Sequence, residues 1–145
     1  MKRSREKKML IGDGYNIMGA LGCFGKLGYD KGKGELKKKR EKFLEFLTHL
    51  NKKQQKIILV FDGEFIGSRA PKRREKGKIK MIFTKRETAD NFIKRITAQE
   101  PGEFLVITND RELRGNLEKM GVEVCSSASL LKRFRKVGKN LSQSL

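Results

Sequence analysis

The chain lacks tryptophan altogether and has one histidine, His49, and two cysteines, Cys23 and Cys125. Histidine-rich metal sites are excluded. Ser-His-Asp or Cys-His catalysis has only His49 to draw on, and His49 sits near the end of a helical pattern, where a dipole or surface role is expected. The two cysteines are far apart and form no Cys-x-x-Cys, which gives little support for a disulfide and none for a zinc site. No apolar stretch approaches the roughly 20 residues that cross a bilayer. No long basic amphipathic helix stands out that would suit an anionic membrane. Residues 1–8 are charged, but the apolar run after them is too short for a signal peptide and has no small-residue cleavage site. The expectation is therefore a cytoplasmic protein with no membrane partner. Gly12, Gly14, Gly19, Gly22, Gly25 and Gly28 never lead into Gly-Lys-Ser/Thr, so no P-loop is present and an NTPase is disfavoured.

Acidic residues are also scarce, with 17 Asp+Glu against 35 Lys+Arg and a formal net charge of +18 over 145 residues. Solubility alone is usually reached with far less charge. Such an excess points to a polyanionic partner, because lysine and arginine release counterions on meeting phosphates. Nucleic acid or the ribosome is the expected partner.

The length fits one domain, with charged tails at residues 1–8 and 139–145 and a folded unit over 9–138. Hydrophobic residues make up 37% of the chain, enough for a modest core. Five short apolar runs read as strands. They are Met9-Leu10-Ile11, residues 56–61, Ile79–Phe83, Phe104–Ile107 and residues 122–125. Their continuity, in place of strict alternation, suits a parallel sheet covered on both faces. Helical spacing is present over residues 35–50, 87–98, 111–120 and 129–137, with Gly121 as a C-cap. Alternating strands and helices predict a three-layer Rossmann-like α/β fold with a central parallel sheet of about five strands. Residues 63–78 are too rich in glycine, proline and charge for a helix and read as a basic loop.

Three of the runs end in aspartate: Asp13, Asp62 and Asp110. Ligands bind outside the carboxyl ends of strands in open parallel sheets. If the first, second and fourth runs are neighbours, these carboxylates converge. They then need a cation, and carboxylate oxygens suit Mg²⁺ or Mn²⁺. Each also has an ordinary explanation. Asp13-Gly14 and Asp62-Gly63 are turn dipeptides, and Asp110 or Asn109 caps the next helix, Asn109 pairing with Glu112. Asp90 is a fourth candidate. Thr84 and Glu87 have capping-box spacing, which places Asp90 one turn into a helix with Glu87 on the same side. Asn16 at i+3 from Asp13 can orient a water or a phosphate. Thr108 can donate its hydroxyl to a carboxylate or to the scissile phosphate. Arg69, Lys72, Arg73, Arg74, Lys76 and Lys78 follow Asp62 and form a candidate phosphate-binding stretch. Further basic clusters at residues 37–40 and 132–136 also read as solvated helix faces.

The segments Asp13-Gly14-Tyr15-Asn16, Val60-Phe61-Asp62-Gly63, Thr84 with Glu87-Thr88-Ala89-Asp90, and Thr108-Asn109-Asp110 together resemble the NYN domains of the PIN-like nuclease superfamily, most nearly the YacP-like branch. The likeness runs in order over residues 9–135. It implies the order 3-2-1-4-5 for the five runs. It also implies an acidic Mg²⁺ site of Asp13, Asp62, Asp90 and Asp110, supported by Asn16 and Thr108. The metal positions are Asp13, Asp90 and Asp110, with Asp13 and Asp110 as the principal holders and Asp62 or Asp90 orienting the attacking water. The implied activity is endonucleolytic cleavage of RNA, leaving 5′-phosphate and 3′-hydroxyl ends, with a link to ribosomes. The Gly- and Lys-rich stretch of residues 25–39 departs from the family pattern. The rivals are a non-catalytic RNA- or ribosome-binding protein on the same fold and a metal-dependent DNA nuclease. An aspartyl-nucleophile phosphatase would need Asp-x-Asp, and Asp13-Gly14-Tyr15 lacks the second acid.

Overall fold

The computed structural model describes residues 8–23, 33–52, 54–63 and 73–137, with the side chains of 33–35 and 135–137 left out. Strand β1 (Met9–Asp13) leads into a short helix α1 (Gly14–Ala20), and α2 (Lys33–Leu50) returns the chain to β2 (Ile57–Phe61). A hairpin of β3 (Arg73–Lys76) and β4 (Ile79–Phe83) is followed by α3 (Ala89–Gln99), β5 (Phe104–Ile107), α4 (Arg111–Lys119), β6 (Glu123–Cys125) and α5 (Ser127–Val137). The sheet order is β3-β4-β2-β1-β5-β6. The five expected strands are all present, all mutually parallel, and in the expected order.

The pleat of the parallel strands divides the core. Leu10, Leu59, Met81 and Leu105 face α1, α2 and α5, while Ile11, Val60 and Val106 face α3 and α4. Period-two side-chain alternation in continuous apolar strands is what permits helices on both faces. Helix α2 contributes Leu36, Phe43, Leu44, Leu47 and Leu50, all buried at helical spacing. Helices α3 and α4 cover the other face with Ile93, Leu113 and Leu117. Gly121 follows α4 at φ +82°, the left-handed conformation expected after a helix C-terminus.

Three local expectations are corrected. Residues 73–76 are not loop but an edge strand, antiparallel to β4, closed by a tight turn in which Gly77 takes φ +59°. Every residue of β3 is exposed and charged, which hides the periodicity by which buried strands are recognised; charge is also how sheet edges resist pairing with another chain. The second correction is α1, which was not expected because its seven residues carry two glycines and too few turns for a periodic signal. The third is Lys8, placed in the tail by its charge. It is 2% exposed and bonds Glu123 on β6 at 2.6 Å. Among the described residues no helix is long and apolar enough to cross a membrane.

Candidate active site at the carboxyl ends of the strands

β1, β2 and β5 are adjacent in the middle of the sheet and run in the same direction, so Asp13, Asp62 and Asp110 emerge at one edge. Asp13 closes β1 and caps α1, its Oδ1 accepting the Asn16 amide at 3.1 Å. Gly14 follows because nothing larger fits: a Cβ there would lie 2.3 Å from the Phe61 ring. Gly63, after Asp62, is held by Thr84, whose Oγ1 accepts the Gly63 amide at 3.1 Å, and a Cβ at 63 would lie 1.7 Å from the Thr84 carbonyl oxygen. Both Asp-Gly pairs read in sequence as turn dipeptides. Neither glycine has positive φ, and what each supplies is close approach of backbone to a neighbouring element.

Asp110 is the N-cap of α4, its Oδ1 accepting the amides of Glu112 (2.9 Å) and Leu113 (3.1 Å). Asn109 is therefore not the cap of α4; its Oδ1 accepts the Ser127 amide at 3.1 Å and ties the start of α5 to the same edge. Thr108 is 2% exposed, and its Oγ1 accepts the Asp110 amide at 3.0 Å, a supporting position behind Asp110. Asn16 is exposed on α1. The cap of α3 is Thr88, which accepts the Asn91 amide, not Thr84. Asp90 thus lies in the first turn of α3, and Glu87 turns away to pair with Arg95 at 2.6 Å. Thr88 directly before Ala89-Asp90 was as good a cap by type and spacing, and the glutamate in the more familiar box pattern drew the reading to Thr84.

The acids form one electrostatic chain. Burial pushes the Asp13 carboxyl above the usual carboxylate range, and repulsion from Asp90 and Asp62 adds to it, while the Asn16 amide opposes. Burial likewise raises Asp90, with Asp110 and Glu112 adding and Lys94 opposing. Four carboxylates from four separate segments therefore sense one another at the sheet edge. Among the described residues no three carboxylate, thiol or imidazole groups lie close enough to form a ready-made metal cage. Mg²⁺ takes one or two protein carboxylates and keeps waters in its remaining positions. The donor set is all oxygen and carries excess negative charge, so the residues fit a hard divalent cation.

Beneath the edge lies a cluster that the sequence did not announce. Tyr15 packs edge-on against Phe61 (centroids 4.7 Å), and Phe61 stacks on Phe83 (5.4 Å). Arg40 donates to the Tyr15 hydroxyl at 2.9 Å. Arg40 sits in a run of four basic residues, and only the 3.6-residue spacing to Leu36, Phe43 and Leu44 marks it as inward-facing. Of the six basic residues assigned to substrate, Arg73, Arg74, Lys76 and Lys78 lie exposed on the β3–β4 hairpin, and Arg74 bonds Glu41 at 3.0 Å. Arg69 and Lys72 lie outside the described residues. Cys23 and Cys125 are not joined in a disulfide.

A three-layer α/β domain with a mostly parallel sheet and aspartates gathered at its carboxyl edge has the architecture of the PIN-like nuclease domains. Within that class the chain belongs to the YacP-like NYN domain family, whose profile matches residues 10–145. Two crystal structures of Rae1 (YacP) from Bacillus subtilis share the fold. The W164L mutant is 20% identical with a TM-score of 0.69, covering 94% of this chain and 80% of that one; the other is 21% identical with a TM-score of 0.66, covering 94% and 79%. No curated protein matches significantly. The family establishes a nuclease-type domain.

Proposed function

We propose that the domain is a metal-dependent endoribonuclease that hydrolyses RNA phosphodiester bonds. The observation that carries the reading is the gathering of Asp13, Asp62 and Asp110 at the carboxyl ends of the adjacent parallel strands β1, β2 and β5 of a strongly basic chain, with burial and neighbouring carboxylates raising Asp13 and Asp90. Carboxyls raised by burial and by neighbouring carboxylates, as at Asp13 and Asp90, mark functional-site candidates. A bound Mg²⁺ or Mn²⁺ lowers the pKa of a water and offsets charge developing on the phosphate. Asp13, Asp90 and Asp110 would hold the ion directly or through water, and Asp62 or Asp90 would orient the attacking water. Asn16, exposed beside Asp13, contacts water or phosphate, and Thr108 keeps Asp110 in place through its backbone.

The RNA backbone is held by the hairpin. Arg73 pairs with Ile82, one residue before the carboxyl end of β4, so the basic edge strand begins at the site side of the sheet and runs away from it. Charge of this magnitude favours structured, highly charged RNA, the ribosome included, and RNA as substrate goes with a cytoplasmic setting.

The test is cleavage of end-labelled RNA and DNA of matched sequence with Mg²⁺ or Mn²⁺, with EDTA, and with Asp13→Asn alongside. RNA cut only with metal and only by the unmutated chain supports the reading. Equal cutting of DNA makes the domain a DNA nuclease. Salt-dependent RNA binding with no cutting under any condition makes it a binding domain.

A further inference from the structure

Arg40 is the least expected charge in the fold. It lies in the run Lys37-Lys38-Lys39-Arg40, where Lys37 and Lys38 are exposed, yet it is 7% exposed itself. A guanidinium buried so far ordinarily faces a carboxylate. Here its contacts among the described residues are the Tyr15 hydroxyl, which accepts from Nη1 at 2.9 Å, and the face of Phe83, 5.1 Å from the guanidinium carbon to the ring centroid. Tyr15 meets Phe61, and Phe61 meets Phe83, so one cation and three rings make a single packed unit.

Each ring adjoins a residue of the acidic edge. Tyr15 lies between Asp13 and Asn16, Phe61 immediately precedes Asp62, and Phe83 immediately precedes Thr84, which holds the Gly63 amide. Burial raises the Tyr15 hydroxyl, Arg40 opposes that, and Asp13 and Asp62 add to it.

We infer that Arg40, acting through the Tyr15 hydroxyl and the ring packing, is a positioning residue that fixes the segment carrying Asp13 relative to the end of β2 that leads to Asp62. It stands below the site and does not touch substrate. Its catalytic consequence rests on the nuclease reading; its effect on local order does not.

The experiment compares Tyr15→Phe, Arg40→Met, Arg40→Lys and the Tyr15→Phe/Arg40→Met double variant. The readouts are kcat and KM for RNA cleavage, and hydrogen exchange of the Asn16 amide, which bonds Asp13. Tyr15→Phe keeps the ring packing and removes only the hydroxyl, so it folds. Tyr15→Phe and Arg40→Met are each expected to lower kcat about tenfold or more while KM stays within about twofold, because small misplacements of reacting groups are costly. The double variant is no worse than the poorer single one, since both break the same connection. Arg40→Lys recovers most of the rate. The Asn16 amide exchanges faster in the impaired variants, with the β5 amides unchanged. A normal kcat in Tyr15→Phe, additive losses, or a raised KM at normal kcat overturns the inference. If the unmutated chain cuts no RNA, the nuclease reading fails by itself, and Asn16 exchange then decides: unchanged protection in Tyr15→Phe and Arg40→Met overturns the positioning role.

Discussion

Strand β1 ends in an aspartate, and strand β5 reaches one three residues beyond its end. Each delivers an aspartate that becomes the N-cap of the helix beginning at the next residue, Asp13 for α1 and Asp110 for α4. In isolation both are helix caps, stabilising by roughly 1 kcal/mol each. What surrounds them differs. Asp110 is exposed, and its Oδ1 serves two amides. Asp13 lies over the buried Tyr15–Phe61–Phe83–Arg40 cluster, and its carboxyl is raised by burial and by Asp90 and Asp62. One local motif has thus become the centre of a carboxylate group at one strand and its rim at the other. The identity of the neighbouring elements makes the difference, and the motif itself does not.

The sharpest way to separate the two positions is their chemistry. Asp13→Asn keeps the cap and removes the charge, and on the proposed mechanism it lowers RNA cleavage by about 100-fold or more, measured as initial rate at saturating Mg²⁺, the scale seen when a group that stabilises developing charge is lost. Cleavage reduced by less than about threefold would break the comparison, because the central acid would then be only a cap.

Sterics come next. Gly14→Ala pushes a methyl carbon toward the Phe61 ring, 2.3 Å from an ideal Cβ, and is expected to cost about 1–3 kcal/mol of stability by urea denaturation. The residue after Asp110 is Arg111, exposed, and Arg111→Ala should change stability by less than about 0.5 kcal/mol.

Removing each cap sharpens the comparison further. Asp110→Ala should destabilise by about 1 kcal/mol, while Asp13→Ala should cost less at neutral pH without metal, since it also relieves burial and repulsion of a charge. The sign follows from the raised carboxyl. Its contribution to folding is fully present below the unfolded value of 3.8 and is lost as pH rises through the higher folded value. Metal-free Asp13→Asn should therefore melt above the unmutated chain at pH 7, with the gap closing toward pH 3; a gap that widens on acidification would contradict the assignment. The smallest effect concerns the hairpin. Arg73→Ala should weaken RNA binding at all sequences and reduce the slope of log affinity against log salt by about 1.

The parallel strands were legible as continuous apolar runs, three of them followed by an acid, because strands buried on both faces leave that signature; their order came from the likeness to the NYN domains, and with it the gathering of Asp13, Asp62 and Asp110 at one edge. The edge strand β3 left no such signature, since Arg73-Arg74-Glu75-Lys76 buries nothing. The short helix α1 and the cap of α3 were lost to competing local patterns, a glycine turn in one case and a Thr-x-x-Glu box in the other. Arg40 and Lys8 were missed because charge is read as exposure. For Lys8 only the tertiary partner Glu123 reveals the burial, whereas for Arg40 the helical spacing to Leu36, Phe43 and Leu44 was a signal that the surrounding basic run obscured. The acids were therefore visible one at a time, whereas the floor that holds two of them together exists only in the fold.

The most direct test of the account is paramagnetic broadening by Mn²⁺, titrated at substoichiometric levels into isotopically labelled protein at low salt. The account predicts selective loss of signals from Asp13, Asp62, Asp90 and Asp110 and their immediate neighbours, reversed by excess Mg²⁺, with Glu87 and Glu123 spared. Broadening spread over all surface acids, or absent from Asp13, would contradict it.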